Sequence, residues 1–117
     1  MAARALVLRD LEATGVADAA SVSALEAALA DRGWWLEQWA EGREFVVGLV
    51  AQDVQDALLD TRGRWPLCRW CDHDDPHAVH VQPDLGGPDP HWVCERGHVQ
   101  VAPVGDLPPV TPRPPGD

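Results

Sequence analysis

The sequence predicts a small α+β protein, in which a body of helices and a β-hairpin precedes a β-rich module that binds a metal ion. Three observations lead to this prediction: an alanine-rich segment with helical periodicity, an aromatic and β-branched segment after it, and three cysteines in the second half. At 117 residues the chain can bury one modest core. We expect the body over residues 1–62, the module over 63–107, and a proline-rich, disordered tail over 108–117.

The body begins with a segment whose structure the sequence leaves open. Residues 4–12 fit either a strand or the start of a helix. A helix follows, with Asp18, Ser21 and Ser23 as candidate N-caps and Gly33 as its C-cap. Its apolar stripe consists of Val22, Leu25 and Leu29.

The segment after this helix is predicted to be a β-hairpin. Residues 34–40 and 43–50 are rich in aromatic and β-branched side chains, and the Glu41–Gly42 step between them favours a turn. Apolar residues then return to helical spacing. A short helix is therefore expected over residues 51–60.

All three cysteines lie in the pattern C-x2-C-x22-C-x3-H. Three sulfurs and one imidazole nitrogen complete the tetrahedral shell that zinc prefers. We therefore predict one structural zinc per chain, bound by Cys68, Cys71, Cys94 and His98, with His77 as the alternative fourth ligand. The alternative for the cysteines, that they are buried apolar side chains, leaves their spacing unexplained. The remaining candidates for the fourth ligand are His73, His80 and His91.

The strands predicted around these ligands cover residues 78–81, 91–93 and 99–102. Strand–turn–strand units that carry C-x2-C and C-x3-H resemble a zinc ribbon, here over residues 65–105. The resemblance implies a metal-stabilised fold module and no particular activity.

The whole chain is similar to small uncharacterised, zinc-ribbon-containing proteins of GC-rich actinobacteria. The stretches that carry this similarity are residues 50–58, 65–68, 92–94 and 101–107. The chain also lacks lysine, isoleucine, asparagine and tyrosine, whose codons are rich in A and T. We therefore infer a GC-rich bacterial genome.

The motifs argue against an enzyme. Four protein ligands leave no position on zinc for water or substrate. The H-x-E and P-C-x-x-C pair of zinc deaminases and the H-E-x-x-H helix of metalloproteases are both absent from the sequence. Residues 72–77 are dense in aspartate and histidine, but a solvated acidic loop is preferred over a second metal site.

Charge and hydropathy restrict the partners. A net charge of −10 disfavours attraction to nucleic-acid phosphates and to anionic membranes. No apolar run is long enough for a signal peptide or a membrane span, so we expect a reduced, cytoplasmic location with thiolates on zinc.

The function favoured by these observations is a noncatalytic, zinc-stabilised adaptor or regulatory protein that binds another protein. The predicted contact uses Trp34 or Trp35, surrounded by the acids Glu37, Glu41 and Glu44. One alternative is a nucleic-acid-associated zinc ribbon, and another is an acidic inhibitor that mimics nucleic acid. The residues that support nucleic-acid binding are Arg62, Arg64, Arg69 and Arg96, interleaved with Trp65, Trp70 and Trp92.

Overall fold

The computed structural model describes residues 2–38, 43–71, 77–83 and 89–109. Helices occupy the first half of the chain: α1 (Ala2–Ala13), α2 (Ala19–Gln38) and α3 (Arg43–Thr61). Each of these helices contacts the other two. They form one helical layer, against which the second half of the chain packs.

The second half forms an antiparallel sheet in the order β1-β2-β3. Its strands are β1 (His80–Gln82), β2 (His91–Cys94) and β3 (Val99–Pro103). Trp92 lies opposite Val81 on one side and Ala102 on the other, with a register irregularity between Trp92 and Val93. The predicted α+β class is confirmed, and the observed strands overlap the three predicted ones.

Residues 4–12, whose sequence fits either a strand or a helix, lie in helix α1. Ala3, Val7 and Leu11 recur at four-residue spacing and are at most 2% exposed, so one face of the helix is buried. A strand would have pointed alternate residues to opposite faces and could not have buried this set together. Residues 4–12 are therefore helical.

Helix α2 begins where predicted and ends later than predicted. The Asp18 carboxylate accepts a hydrogen bond from the backbone N–H of Ser21 at 2.9 Å, which makes Asp18 the N-cap. The C-cap prediction for Gly33 is wrong, because the helix continues through this residue to Gln38. Adding a Cβ at Gly33 would meet nothing within 4 Å, so the position is an ordinary helical site.

The predicted β-hairpin over residues 34–50 is also wrong. Residues 34–38 belong to α2, and residues 43–50 belong to α3. Val46, Val50 and Val54 lie four residues apart and are all buried, which is helical periodicity. Packing of this face overrides the strand preference of valine. The expected Glu41–Gly42 turn lies outside the described residues.

The helix predicted over residues 51–60 exists, but it is the second half of α3.

Buried apolar residues of the helices and of the strand half form one cluster, so the expected body and module share a core. Trp65 and Trp92 meet there edge to face, with ring centroids 5.5 Å apart. Residues 110–117 of the expected tail lie outside the described residues.

None of the helices in the described part of the chain is long and apolar enough to span a membrane.

Candidate metal centre

Two short backbone segments pair to bring the first ligands together. The N–H of Cys68 donates to the carbonyl of His77 at 2.8 Å, and the N–H of Val79 donates to the carbonyl of Pro66 at 2.9 Å. Leu67 and Ala78 form the antiparallel bridge between these two hydrogen bonds. His77 thus lies directly across from Cys68, although nine positions separate them in the sequence.

Helix α3 holds both segments in place through Gln55. Its side-chain amide donates to the carbonyl of Trp65 at 3.0 Å and to the carbonyl of Val79 at 2.8 Å. One side chain therefore satisfies a backbone acceptor before Cys68 and another after His77. In the sequence nothing distinguishes Gln55 from the other polar residues of α3.

The third cysteine reaches the same place from the sheet. Cys94 is the last residue of β2 and is fully buried. Its sulfur accepts a hydrogen bond from the backbone N–H of Gly97 at 3.3 Å. Gly97 follows Cys94 by three residues, just as Cys71 follows Cys68 by three residues. The second turn therefore has the spacing of the C-x2-C turn, with glycine in place of the second cysteine.

The two ligand turns approach so closely at Gly97 that no larger residue fits. An added Cβ would lie 2.5 Å from the Cβ of Cys71. A second cysteine in this turn would therefore collide with Cys71. Position 97 is therefore closed to a second sulfur ligand from this turn.

Four ligand atoms converge, from Cys68, Cys71, His77 and Cys94, all within 4.8 Å of one another. We call this set the cysteine–histidine cluster. The sulfurs of Cys68 and Cys71 are 3.7 Å apart, and His77 Nε2 is 3.3 Å from the Cys71 sulfur and 3.4 Å from the Cys94 sulfur. These four residues can bind one metal ion. A tetrahedral zinc site with ordinary bond lengths has S···S edges of about 3.8 Å and S···N edges of about 3.6 Å.

The electrostatics of the cluster favour the ligating form of Cys94. Burial opposes the thiolate, but hydrogen bonds from the N–H of Gly97, the imidazole of His77 and the thiols of Cys68 and Cys71 together lower the pKa of Cys94 to about 7. The Cys94 thiolate in turn raises the pKa of His77. A cation in the cluster would replace the proton that these two groups share.

The structure brings together three of the predicted ligands and the alternative fourth, His77, in place of His98. His98 lies in the turn after Cys94 with a positive φ of 54° and is exposed to solvent. Its offset from Cys94 suits a knuckle turn, but the cluster formed by the described residues does not include it. The Leu67–Ala78 bridge selects His77, and this pairing has no signal in the ligand spacing.

The other histidines do not join the cluster. His80 is exposed in β1, and His91 donates from Nδ1 to the carbonyl of Asp89 at 2.6 Å. His73 lies outside the described residues, as do the acids of the loop considered for a second metal site.

A second buried polar centre lies in α1, at Asp10, which the sequence analysis missed. Its carboxylate is fully buried and accepts hydrogen bonds from Trp92 Nε1 at 2.7 Å and from the backbone N–H groups of Gly105 at 2.6 Å and Leu107 at 3.0 Å. Burial raises the pKa of Asp10, while these three donors act in the opposite direction. The available signal was its position three residues after Val7, on the apolar face of α1.

A model of a protein family described as a domain of unknown function (DUF8819) matches residues 1–104. This range contains the cysteine–histidine cluster and Asp10. No curated protein and no solved structure matches the chain.

Proposed function

The chain belongs to the DUF8819 family of domains, and from this premise we propose that it is a noncatalytic, zinc-stabilised adaptor or regulatory protein that binds another protein. The observation that carries the proposal is the convergence of three sulfurs and one imidazole nitrogen within 4.8 Å. A site with four protein ligands is coordinatively closed.

Zinc is the ion that suits this donor set best. Thiolate sulfur is a soft ligand, and a tetrahedral arrangement of three sulfurs and one nitrogen is typical of structural zinc. Calcium and magnesium require oxygen ligands, which this cluster lacks. The two ligand turns beside an antiparallel sheet support the resemblance to a zinc ribbon, with His77 as the fourth ligand.

The closed shell supports a structural role for the ion. The ligands come from the turn after Trp65, from the bridge segment at His77 and from the end of β2. One ion would therefore connect three stretches of a half-molecule whose strands are only three to five residues long. A catalytic zinc needs an open position for water or substrate, and four protein ligands leave none.

Exposed apolar side chains support the protein-binding part of the proposal. Trp34 in α2 is 62% exposed, an unusual state for so large an aromatic residue. The net charge of −10 favours a partner with basic groups around an apolar centre. The side chains of Trp35 and Glu37, and Glu41 with its surroundings, lie outside the described parts of the chain. Trp34 is therefore the residue on which the test depends.

The metal half of the proposal is tested by elemental analysis of protein purified without chelator. We expect one zinc per chain in the wild type and much less than one in Cys68→Ser. Zero or two zinc ions in the wild type would contradict the proposal. A single zinc that exchanges its bound water and hydrolyses activated esters would show an open, catalytic site instead.

The partner half is tested by co-purification from the native host with mass spectrometry, using wild type, Trp34→Ala and Leu59→Ala. Leu59 is a matched control because it is 57% exposed but lies in α3. We expect one protein partner that Trp34→Ala loses and Leu59→Ala retains. Recovery of nucleic acid, released steeply by added salt, would favour the nucleic-acid alternative. A basic nucleic-acid-binding protein as partner would favour the acidic mimic.

A further inference from the structure

Several arginines of this acidic protein are paired with carboxylates. Four of them form ion pairs within 4.0 Å: Arg4 with Glu26, Arg9 with Asp106, Arg32 with Asp53, and Arg62 with Asp18. Arg64 and Arg69 form no ion pair within the described ranges. In a chain whose net charge is −10, these two arginines stand out because no described carboxylate lies within 4.0 Å of either guanidinium.

These two arginines line the same cleft, which has a volume of about 310 Å³. Its other walls include Trp65, Trp70, Leu67 and Pro108, and none of the described residues that line it carries a carboxylate. We call it the arginine–tryptophan cleft. It combines a local charge of +2 with aromatic and aliphatic walls, whereas the chain around it is acidic.

We propose that the arginine–tryptophan cleft binds a small ligand that joins a flat aromatic ring to an anionic group, the chemistry of a nucleoside monophosphate. Guanidinium groups make strong, charge-assisted hydrogen bonds to phosphate oxygens. Trp70 is partly exposed in the cleft and offers an indole surface on which a ring stacks. This site is independent of the partner surface at Trp34.

The size and the charge of the molecule favour a small ligand over a long strand. A volume of about 310 Å³ lies at the lower end of the range for small-molecule sites. A polymer would carry many phosphates past an acidic surface, and each would be repelled. One or two negative charges on a single ligand are matched by Arg64 and Arg69 alone.

Neighbouring parts of the fold hold the walls of the arginine–tryptophan cleft in place. Arg69 and Trp70 are the two residues between Cys68 and Cys71, so the first ligand turn determines where they lie. Trp65 donates from Nε1 to the hydroxyl of Thr14 at 2.9 Å, which fixes the indole against the end of α1. Such rigid walls reduce the entropy lost when a ligand binds.

The test is isothermal titration calorimetry of the purified full chain with adenosine monophosphate, adenosine and inorganic phosphate as separate probes. We expect saturable binding of adenosine monophosphate at one site. Adenosine and phosphate each supply half of the recognition, and we expect both to bind at least about tenfold more weakly. An octamer of deoxyadenylate distinguishes the source of the nucleotide: weaker or equal affinity indicates a free mononucleotide, and tighter binding indicates the end of a single strand.

Variants assign the binding to the cleft. Arg64→Gln and Arg69→Gln should each weaken binding about tenfold. Arg9→Gln, an exposed arginine paired elsewhere, should leave it unchanged. Arg64 lies outside the ligand turn, so its variant remains informative even if Arg69→Gln loses metal. Zinc content and near-ultraviolet circular dichroism verify that each variant is folded.

Three results would overturn the proposal. The first is no saturable binding of adenosine monophosphate by folded wild type. The second is binding that Arg64→Gln leaves unchanged. The third is tighter, competitive binding of a short peptide of alternating aspartate and leucine, which would make the cleft a peptide site. None of these results depends on whether Trp34 contacts a partner.

Discussion

Two buried polar centres hold the second half of the chain in place, and they are stabilised in different ways. At Asp10, three N–H donors of the protein point at one carboxylate, from Trp92, Gly105 and Leu107. In the cysteine–histidine cluster, three sulfur atoms and one imidazole nitrogen, all electron-pair donors, lie within 4.8 Å of one another. The first centre links β2 and the segment after β3 to α1, and the second links the ligand turns to β2.

The difference lies in where the compensating positive charge comes from. A buried carboxylate with three N–H donors is compensated by its own chain. Thiolates and an imidazole offer mainly lone pairs, so their mutual repulsion is relieved by protons or by a metal ion. The hydrogen bonds at Asp10 therefore need no added ion, although burial raises the pKa of Asp10 and so makes ionisation of its carboxyl less favourable in the folded than in the unfolded chain. The contribution of the cluster should depend on the supply of metal.

The largest effect is expected from loss of a metal ligand. Structural zinc is worth about 10–16 kcal/mol of apparent binding free energy near pH 7. Cys94→Ser should therefore abolish stoichiometric zinc and the fixed tertiary structure of residues 65–107. Atomic absorption and near-ultraviolet circular dichroism measure the two losses. Wild-type melting of this variant would mean that the cluster does not stabilise the fold.

The fourth ligand is tested within the same comparison by His77→Ala and His98→Ala. His77 is 8% exposed within the cluster, whereas His98 is exposed outside it. Zinc affinity, measured by competition with a chromogenic chelator, should fall by orders of magnitude in His77→Ala and hardly change in His98→Ala. The reverse order would move the ligand role to His98.

The next largest effect is expected at Asp10. In Asp10→Asn, an amide N–H₂ replaces one acceptor oxygen and faces N–H donors, so at least one buried hydrogen bond is lost. We expect the free energy of unfolding to fall by about 3 kcal/mol, with zinc content unchanged. Urea denaturation of metal-loaded protein measures the loss. Asp106→Asn, at an exposed carboxylate, is the control and should change stability by less than about 0.5 kcal/mol. Equal losses in both variants would contradict the role of Asp10.

A smaller effect is expected where the two ligand turns touch. Gly97→Ala places a Cβ against the Cβ of Cys71 and should cost about 1–3 kcal/mol, with weaker zinc binding. Gly33→Ala is the matched control in a helix, where a Cβ meets nothing within 4 Å. It should stabilise the protein by about 0.5–1 kcal/mol. Thermal unfolding separates the two, and opposite signs are the expected result.

The smallest effect on stability is expected from substitution of Asp18, the exposed N-cap of α2 in the helical half of the chain. Its hydrogen bonds from Ser21 lower the pKa of Asp18 below its ordinary value of 3.8. Because the folded-state pKa is the lower one, the cap's contribution is present above pH 3.8 and is lost as the pH falls through the folded-state pKa. Asp18→Ala should therefore lower the melting temperature slightly at pH 7 and have less effect in strong acid. A loss that persists at the lowest pH would argue against the charged cap.

The cysteines of the candidate metal site were predictable to the extent that spacing in the sequence brings them together. A C-x2-C turn brings two sulfurs together wherever it lies, so Cys68 and Cys71 could be assigned, and Cys94 followed as the remaining cysteine. The three short strands and the helix over residues 51–60 were predictable because turn residues and apolar periodicity mark them locally. These features depend on neighbours within a few positions of the chain.

The predicted β-hairpin over residues 34–50 was wrong for residues 34–38 and 43–50, because aromatic and β-branched residues favour strands only when tertiary packing does not oppose that preference. Burial of Val46, Val50 and Val54 against the other helices decided in favour of the helix. The choice of His77 over His98 depended on the backbone pairing of Leu67 with Ala78. The buried carboxylate of Asp10 has hydrogen-bond partners only because tertiary folding brings residues from about ninety positions later in the chain beside it.

By itself, therefore, the sequence determined the α+β class, the acidic charge and the three cysteines as candidate ligands. These properties follow from composition and from spacing within single turns. Tertiary structure alone decided the helical form of residues 34–38 and 43–50, the placement of His77 beside the three cysteines and the partners of Asp10. Each of these depends on free energy gained between segments far apart in the chain, which local pattern does not encode.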